Sequence, residues 1–388
     1  MSTGATTTSL SFDWSGVSGA ELYQFKISAS STMSNAKYFW FTGSQGTATG
    51  LAQGKRYHAM VKVVADSPDH EALSPYSSKI SATTDTPPTT SADVRVGTFN
   101  LRGSNNDPKA GGDQKVWSER RPKVVEQILD ENIDVLGTQE AYWSTGDSLP
   151  SGTDQYTDLR NRLNSAGEPF EVTNTTRSVG KGTRILYNTD TVDKLTSGQF
   201  KYANQVSGKT DRYLAWATFQ HEASGKKFFF ANTHLSPDNS TVKEREWKEL
   251  ISKVKSLNSG SLPVIVVGDF NTSKFGAAAE NMLPAMKSAG FGDVMNQQYR
   301  VNPPRNVRAE STVNQWIGSF NDFRRDIRPY SYYTRKDKVG NAIDWVFATN
   351  SLRVKKWKVV IDFSSSTLRI NGTIPSDHNM ISSTITLP

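Results

Sequence analysis

Six apolar runs in this chain each deliver a polar or ionisable residue, and together those residues could do acid–base or metal-ion chemistry. Residues 94–99, Val-Arg-Val-Gly-Thr-Phe, lead to Asn100, and residues 134–139, Asp-Val-Leu-Gly-Thr-Gln, lead to Glu140. Residues 228–233, Phe-Phe-Phe-Ala-Asn-Thr, lead to His234. Residues 263–268, Pro-Val-Ile-Val-Val-Gly, are followed by Asp269, Phe270 and Asn271. Asp344 lies inside the run 342–347, and Asp377 and His378 precede a last strand over 380–387. A carboxylate or imidazole at the end of a buried strand is costly unless it is paired or bound to metal. Sheet packing would bring all six run ends to one edge of two layers. Four carboxylates gathered there repel one another without a cation. Oxygen-rich, thiol-free ligands suit Mg2+, Mn2+ or Ca2+.

The composition narrows the chemistry from the other side. The 388 residues contain no Cys and only 5 His. Thiolate zinc sites, iron–sulfur clusters, disulfide scaffolds and cysteine nucleophiles are therefore excluded, and a site of several imidazoles is disfavoured. Hydrophobic residues make up 36% of the chain, enough to build cores, while no apolar stretch approaches the ~18 residues of a bilayer span. Residues 1–86 hold six basic and six acidic residues, so the whole net charge of +7 lies beyond them. A basic region beside a neutral one fits an anionic partner.

The elements that must position these groups divide at residues 85–93, a Thr/Pro-rich stretch of linker composition. Before it, over residues 1–84, short alternating runs such as Tyr23/Phe25/Ile27 and Tyr57/Ala59/Val61/Val63 predict an all-β, immunoglobulin-like sandwich. Leu51-Ala-Gln-Gly-Lys-Arg-Tyr57 has the spacing of a tyrosine corner, and this segment resembles a fibronectin type III domain. His58 and His70 read as surface residues. After the linker, over 94–388, strands alternate with amphipathic helices over 118–131 and 241–257. Ser118 reads as the cap of the first helix, Pro122 as a first-turn residue, and Arg120-Arg121 as a solvated face.

Residues 94–388 also resemble the endonuclease/exonuclease/phosphatase superfamily. The stretches that carry the resemblance, in order, are Thr98-Phe-Asn-Leu-Arg102, Gly137-Thr-Gln-Glu140, Asn232-Thr-His-Leu235, Gly268-Asp-Phe-Asn271, Ile343-Asp-Trp345 and Ser376-Asp-His378. The resemblance implies an α/β four-layer sandwich with two central mixed β-sheets. It also implies a metal held chiefly by Glu140, with Asn100 and Asp377 beside it. Asp269 and Asn271 would position water and phosphate, Asp344 would orient His378, and His234 would donate to a phosphate oxygen. Either His378 or Asp269 is the implied general base.

These readings lead to an expected divalent-metal-dependent phosphodiesterase acting on DNA or RNA, with a sphingomyelinase-like or small-molecule phosphoesterase as the alternative. A binding protein with a vestigial domain is the rival from another class. Arg184 departs from the family pattern and is a candidate for the substrate pocket. The basic, aromatic segment 321–338 offers Arg324, Arg325 and Tyr332 for phosphates and bases. The expected protein is a monomer without an obligate protein partner. It has no signal-peptide pattern at residues 1–5, and the fibronectin-like module points to an extracellular setting, with a cytoplasmic one as the alternative.

Overall fold

The computed structural model describes residues 2–85, 92–107, 113–142, 149, 153–274, 277–295, 309–330, 340 and 342–388. The chain forms two compact units: residues 1–90 with 128–132 and 163–168, and the remainder. Among the described residues no helix is long and apolar enough to cross a membrane.

The first unit contains two antiparallel sheets. One comprises Ser2–Ala5, Ser9–Asp13 and Gln45–Thr49; the other, in spatial order, comprises Lys37–Phe41, Leu22–Ser28, Arg56–Val64 and Ile80–Thr83. Period-two alternation turns Leu10, Phe12, Phe25, Ile27, Ala48, Tyr57 and Ala59 into one core. The Tyr57 hydroxyl accepts a hydrogen bond from the Ala52 amide at 2.8 Å, the contact that the tyrosine-corner spacing predicts. This all-β architecture is consistent with a fibronectin type III-like module. His58 departs from expectation: it is 5% exposed. Burial, reinforced by the nearby Arg56 and Lys79 charges, lowers its pKa to about 4.

In the second unit the two large sheets pack face to face. The seven-stranded sheet runs Phe170–Val172, Arg184–Asn188, Val135–Gln139, Asp93–Asn100, Met380–Thr386, Arg353–Val360, Ser311–Val313. The six-stranded sheet runs Val192–Lys201, Tyr213–His221, Lys227–His234, Val264–Asp269, Asp344–Thr349, Phe291–Asp293. Both sheets mix parallel and antiparallel pairs. Val94, Val96, Val135 and Ile185 meet Ala215, Phe230, Ile265 and Val267 between them. The alternate residues Val264 and Val266 face outward and pack with Trp247, Leu250 and Val254 of the helix Ser240–Leu257, and with Met282 and Met286 of the helix Ala277–Ser288. Residues 264–267 are therefore apolar on both faces, which explains their unbroken hydrophobic run. The fold is the four-layer α/β sandwich, and the other α-helices among the described residues are Trp117–Asp130 and Gln155–Ser165.

The first helix begins differently from its sequence reading. Its start is Trp117, whose backbone N–H is held by the Asp107 carboxylate at 2.7 Å, so Asp107 does the work expected of Ser118. Pro122 consequently sits inside the helix and not in its first turn. Arg120 is fully buried, not solvated. Its guanidinium donates to the Leu101, Arg102 and Pro375 carbonyls at 2.8–3.0 Å and to Asp107 at 3.1 Å. Helices Gln155–Ser165 and Ala277–Ser288 are additional to the two read from the sequence; they bury Tyr156, Leu159 and Leu163, and Ala279, Met282 and Met286, at helical spacing.

The buried neutral His58 gives a stability test. Its folded pKa of about 4 lies below the unfolded value of 6.5, so the unfolded chain binds its proton first. The stability it supports is complete above pH 6.5 and is lost as pH falls towards 4, a cost growing to about 2 kcal/mol at pH 5. In thermal melts of the full chain, His58→Gln should lose less stability between pH 7 and pH 5 than the wild type does. An equal loss would mean that the imidazole is protonated in the fold.

Candidate active site

Strand register brings the polar run ends to one edge. Asn100 and Gln139 are partners at the ends of two parallel strands, so Asn100 and Glu140 emerge together. The antiparallel strand Met380–Thr386 starts at the same edge, which places Asp377 and His378 beside them. In the second sheet His234 pairs with Asp269 along a parallel ladder, and Asp269 pairs with Asp344 along an antiparallel one. Asp344 is the first residue of its strand, not an interior one. An antiparallel strand must begin where its parallel neighbours end, so the displacement serves the site.

Gly268 permits the close approach of these strands. A Cβ there would lie 2.2 Å from the Thr233 carbonyl oxygen, and its φ of +153° is one that L-residues rarely adopt. The turn that follows puts Asn271 in the left-handed region at φ 45°. There its backbone N–H bonds the Asp269 Oδ1 at 2.8 Å and its side-chain amide donates to the Leu235 carbonyl at 2.9 Å. Asp269 Oδ2 is the meeting point of the two sheets. It accepts from Asn100 Nδ2 at 3.1 Å and lies 3.4 Å from His234 Nε2 and 3.8 Å from His378 Nε2. His378 Nδ1 lies 2.8 Å from Asp344 Oδ2.

The electrostatics follow from this geometry. Burial, with the Asp344 charge beside it, raises Asp269 to a pKa of about 7. Burial alone would discharge His378, but the charge and hydrogen bond of Asp344, together with Asp269 and Asp377, raise it to about 10. His234 goes the other way: burial, then the Arg212 and His378 charges, hold it well below the usual value. One imidazole is thus charged at neutral pH and the other is not, and the carboxylate between them titrates as part of the group. Asp344 Oδ1 is buried without a hydrogen-bond partner among the described residues.

The metal-side residues are arranged for a cation. Glu140 takes a left-handed φ of 57°. Its carboxylate accepts from Asn100 Nδ2 at 3.3 Å and the Gly103 N–H at 3.2 Å. Asp377 is buried, and that burial, with the Glu140 charge opposing its ionisation, raises its pKa. Two carboxylates close enough for the charge of one to oppose the ionisation of the other are a donor set suited to a hard divalent ion. Nearby, Asp269, Asp344 and His378 each bring a ligand atom within 4.8 Å of the others, a buried group that could hold a metal.

A family model for endonuclease/exonuclease/phosphatase proteins matches residues 97–378. The chain belongs to this family. Among solved structures it is similar to an endonuclease/exonuclease/phosphatase family protein of Bacteroides thetaiotaomicron, at 21% identity over 77% of this chain and 99% of that one, with a TM-score of 0.58. It is also similar to a mannosyl-6-phosphatase of the same organism, at 20% identity over 75% of this chain and 99% of that one, with a TM-score of 0.56. Zebrafish TDP2 complexed with a single-strand DNA product matches at 17% identity over 76% of this chain and 99% of that one, with a TM-score of 0.51. No curated protein matches. Membership of the endonuclease/exonuclease/phosphatase family makes the protein a hydrolase of the phosphoesterase and nuclease type.

The structure brings together Asn100, Glu140, His234, Asp269, Asn271, Asp344, Asp377 and His378, but it does not bear out all the substrate-side candidates. Arg184 is 1% exposed. Its guanidinium donates to the Asn174, Thr176 and Val179 carbonyls and stacks over Tyr156 at 4.5 Å, so it braces a loop and has no face for substrate. Arg325 is likewise committed, to Asp113 and the Ile370 and Gly372 carbonyls. Arg324 is exposed beside Asp322, and Tyr332 lies outside the described residues. Several organising residues carried no role in the sequence reading. Ser376 Oγ donates to the Asn100 carbonyl at 2.7 Å, joining the first motif to the last. Ser319 Oγ accepts from the Ile343 and Asp344 backbones. Gln139 and Asn232 bridge the two sheets through a 2.7 Å bond. Phe320, 40% exposed, sets its ring 5.1 Å from His378. Ser376, Gln139 and Asn232 lie within the motifs; Ser319 and Phe320 left no sequence signal.

Asp344→Asn tests the dyad. The amide removes the charge that keeps His378 protonated, so the His378 pKa should fall by more than a unit in an NMR titration. Hydrolysis of a phosphodiester should drop by about 10²–10⁴-fold, as when a carboxylate that orients histidine is neutralised. An unchanged His378 titration would contradict the assignment. Gly268→Ala should destabilise the second unit by more than ~2 kcal/mol, because backbone must move to admit the methyl; an unchanged melting temperature would refute that.

Proposed function

We propose that the protein is a divalent-metal-dependent phosphodiesterase that cleaves nucleic acid by in-line attack of water. The observation that carries the reading is Asp269, a buried carboxyl of pKa about 7 set between a neutral and a charged imidazole. A general base works best when its pKa is near the working pH. Asp269 takes the proton of the attacking water as the new P–O bond forms. Asp344 keeps His378 protonated, so its Nε2–H meets the charge that grows on the phosphoryl oxygens. Neutral His234 donates a second hydrogen bond there, and Asn271 holds Asp269 in place through its backbone N–H. Glu140, with Asn100 and Asp377, would hold Mg2+, Mn2+ or Ca2+, which supplies neutralisation of the phosphate charge and of the departing alkoxide.

Nucleic acid is the favoured substrate for two reasons. The whole +7 lies beyond residue 86, and Phe320 offers an exposed ring beside His378 on which a base could stack. TDP2, which shares the fold, is complexed with single-strand DNA product. The mannosyl-6-phosphatase among the similar structures supports the second reading, a small phosphoester substrate. Residues 1–84 are proposed as a fibronectin type III-like spacer, joined through 85–93 to the catalytic region 94–388, in an extracellular enzyme that acts as a monomer.

A substrate panel of duplex DNA, single strands, RNA, sphingomyelin and a nitrophenyl phosphodiester decides the matter. Oligonucleotides should be cut in Mg2+ and not in EDTA, with affinity falling steeply as salt rises. Asp269→Asn and His378→Ala should each lose at least about 10²-fold in kcat. Cleavage of sphingomyelin alone, or near-normal rates in both folded variants, would overturn the reading.

A further inference from the structure

Beside Glu140 the second unit contains an open cleft of about 380 Å3, lined by Asn105, Tyr142, Lys181, Lys209, Thr210 and Asp211. None of these residues belongs to the acid–imidazole cluster, yet the chain goes to some length to place them next to it. Residues 180–183 form a tight turn closed by a Thr183 N–H to Gly180 carbonyl bond of 2.8 Å. Gly182 lies flat on the Glu140 backbone: a Cβ there would be 2.7 Å from the Glu140 Cα, and the Gly182 carbonyl accepts from the Ala141 N–H at 3.1 Å. Lys181, between the two glycines, is forced to φ 46°. A lysine in the left-handed region costs conformational energy that glycine would avoid. Among the described residues no hydrogen bond or ion pair holds its ammonium.

Tyr142 forms the adjoining wall. Its ring covers Gly103, where a Cβ would come within 2.7 Å of it, and Gly103 in turn holds the Glu140 carboxylate. Burial, and then the Glu140 charge, push the phenol's pKa up, while the Arg212 charge opposes the shift. The Arg212 charge also helps to hold the His234 pKa down, after burial. The two acidic groups nearby are already matched: Asp211 pairs with Lys201 at 2.8 Å, and Asp238 with Lys209 at 3.3 Å. An aromatic wall and an uncommitted ammonium therefore line a cleft beside the metal-side carboxylate, and they suit an anion carried near the scissile bond.

We propose that this cleft is a subsite for a second phosphate, the one that flanks the scissile phosphoester in a nucleotide chain, and that Lys181 is the specificity-determining residue that pairs with it. The inference rests on the nucleic-acid reading above and sharpens it: a chain with phosphates on successive nucleotides fills both sites, whereas an isolated phosphoester fills one.

The test is calorimetric binding in Ca2+ of thymidine 3′,5′-bisphosphate and of the two thymidine monophosphates. The variants are Lys181→Gly, which relieves the left-handed backbone, and Lys181→Arg, which restores the charge. Wild type should bind the bisphosphate at least about tenfold more tightly than either monophosphate, as a charge-assisted contact allows. Lys181→Gly should lose that preference while melting no lower than wild type, and Lys181→Arg should keep most of it. The salt dependence of bisphosphate binding should fall by about one charge in Lys181→Gly. A wild type that shows no preference, or a preference that survives in Lys181→Gly, overturns the proposal. Because the readout is binding, it stands apart from the nuclease reading, which is tested separately by whether wild-type protein cuts oligonucleotides and the Asp269 and His378 variants lose that activity.

Discussion

Burying several carboxylates at the shared edge of two sheets is the constraint to which the rest of this structure answers. Asp269, Asp344 and Asp377 are each nearly inaccessible to water, and Glu140 stands beside them. Ionised groups so placed would drive the sheets apart unless every charge is matched or shared. The protein matches them with few resources: one charged imidazole, the amide of Asn100, backbone N–H groups at Asn271 and Gly103, and Arg102 against Asp377 at 3.4 Å. The deficit that remains is what a divalent ion would fill.

The scaffold is built to keep that edge aligned. Arg120 ties the segment after Asn100 to the segment before Asp377, and Ser376 makes the same connection through its hydroxyl. Gln139 and Asn232 lock one sheet to the other directly beneath the site. Such buried polar links cost desolvation and are retained where alignment matters more than packing energy. The positive-φ backbones at Glu140, Gly268 and Asn271 belong to the segments that line this edge, so part of the chain's local conformational cost is carried where geometry must be held.

Much of this was legible in the sequence, because a polar residue closing an apolar run is a local signal and six such runs converge by sheet packing alone. Asn100, Glu140, His234, Asp269, Asp344, Asp377 and His378 all declared themselves in this way. The failures have a common cause. Arg120 looked like a solvated helix face and Arg184 like a substrate contact, because sequence does not reveal which carbonyl oxygens will surround a guanidinium. His58 looked exposed although it sits in an alternating strand. Ser319, Phe320 and the cleft lining of Tyr142 and Lys181 come from loops brought together only by the tertiary fold, and no periodicity marks them.

Whether a divalent cation completes the cluster on its Glu140 side is decided by Mn2+ binding to wild type and to Glu140→Gln in titration calorimetry. Wild type should bind Mn2+ with release of protons from the shared acid cluster, and Glu140→Gln, still folded, should bind at least about tenfold more weakly. Equal binding by the two proteins, or no binding by wild type, would contradict a cation held there.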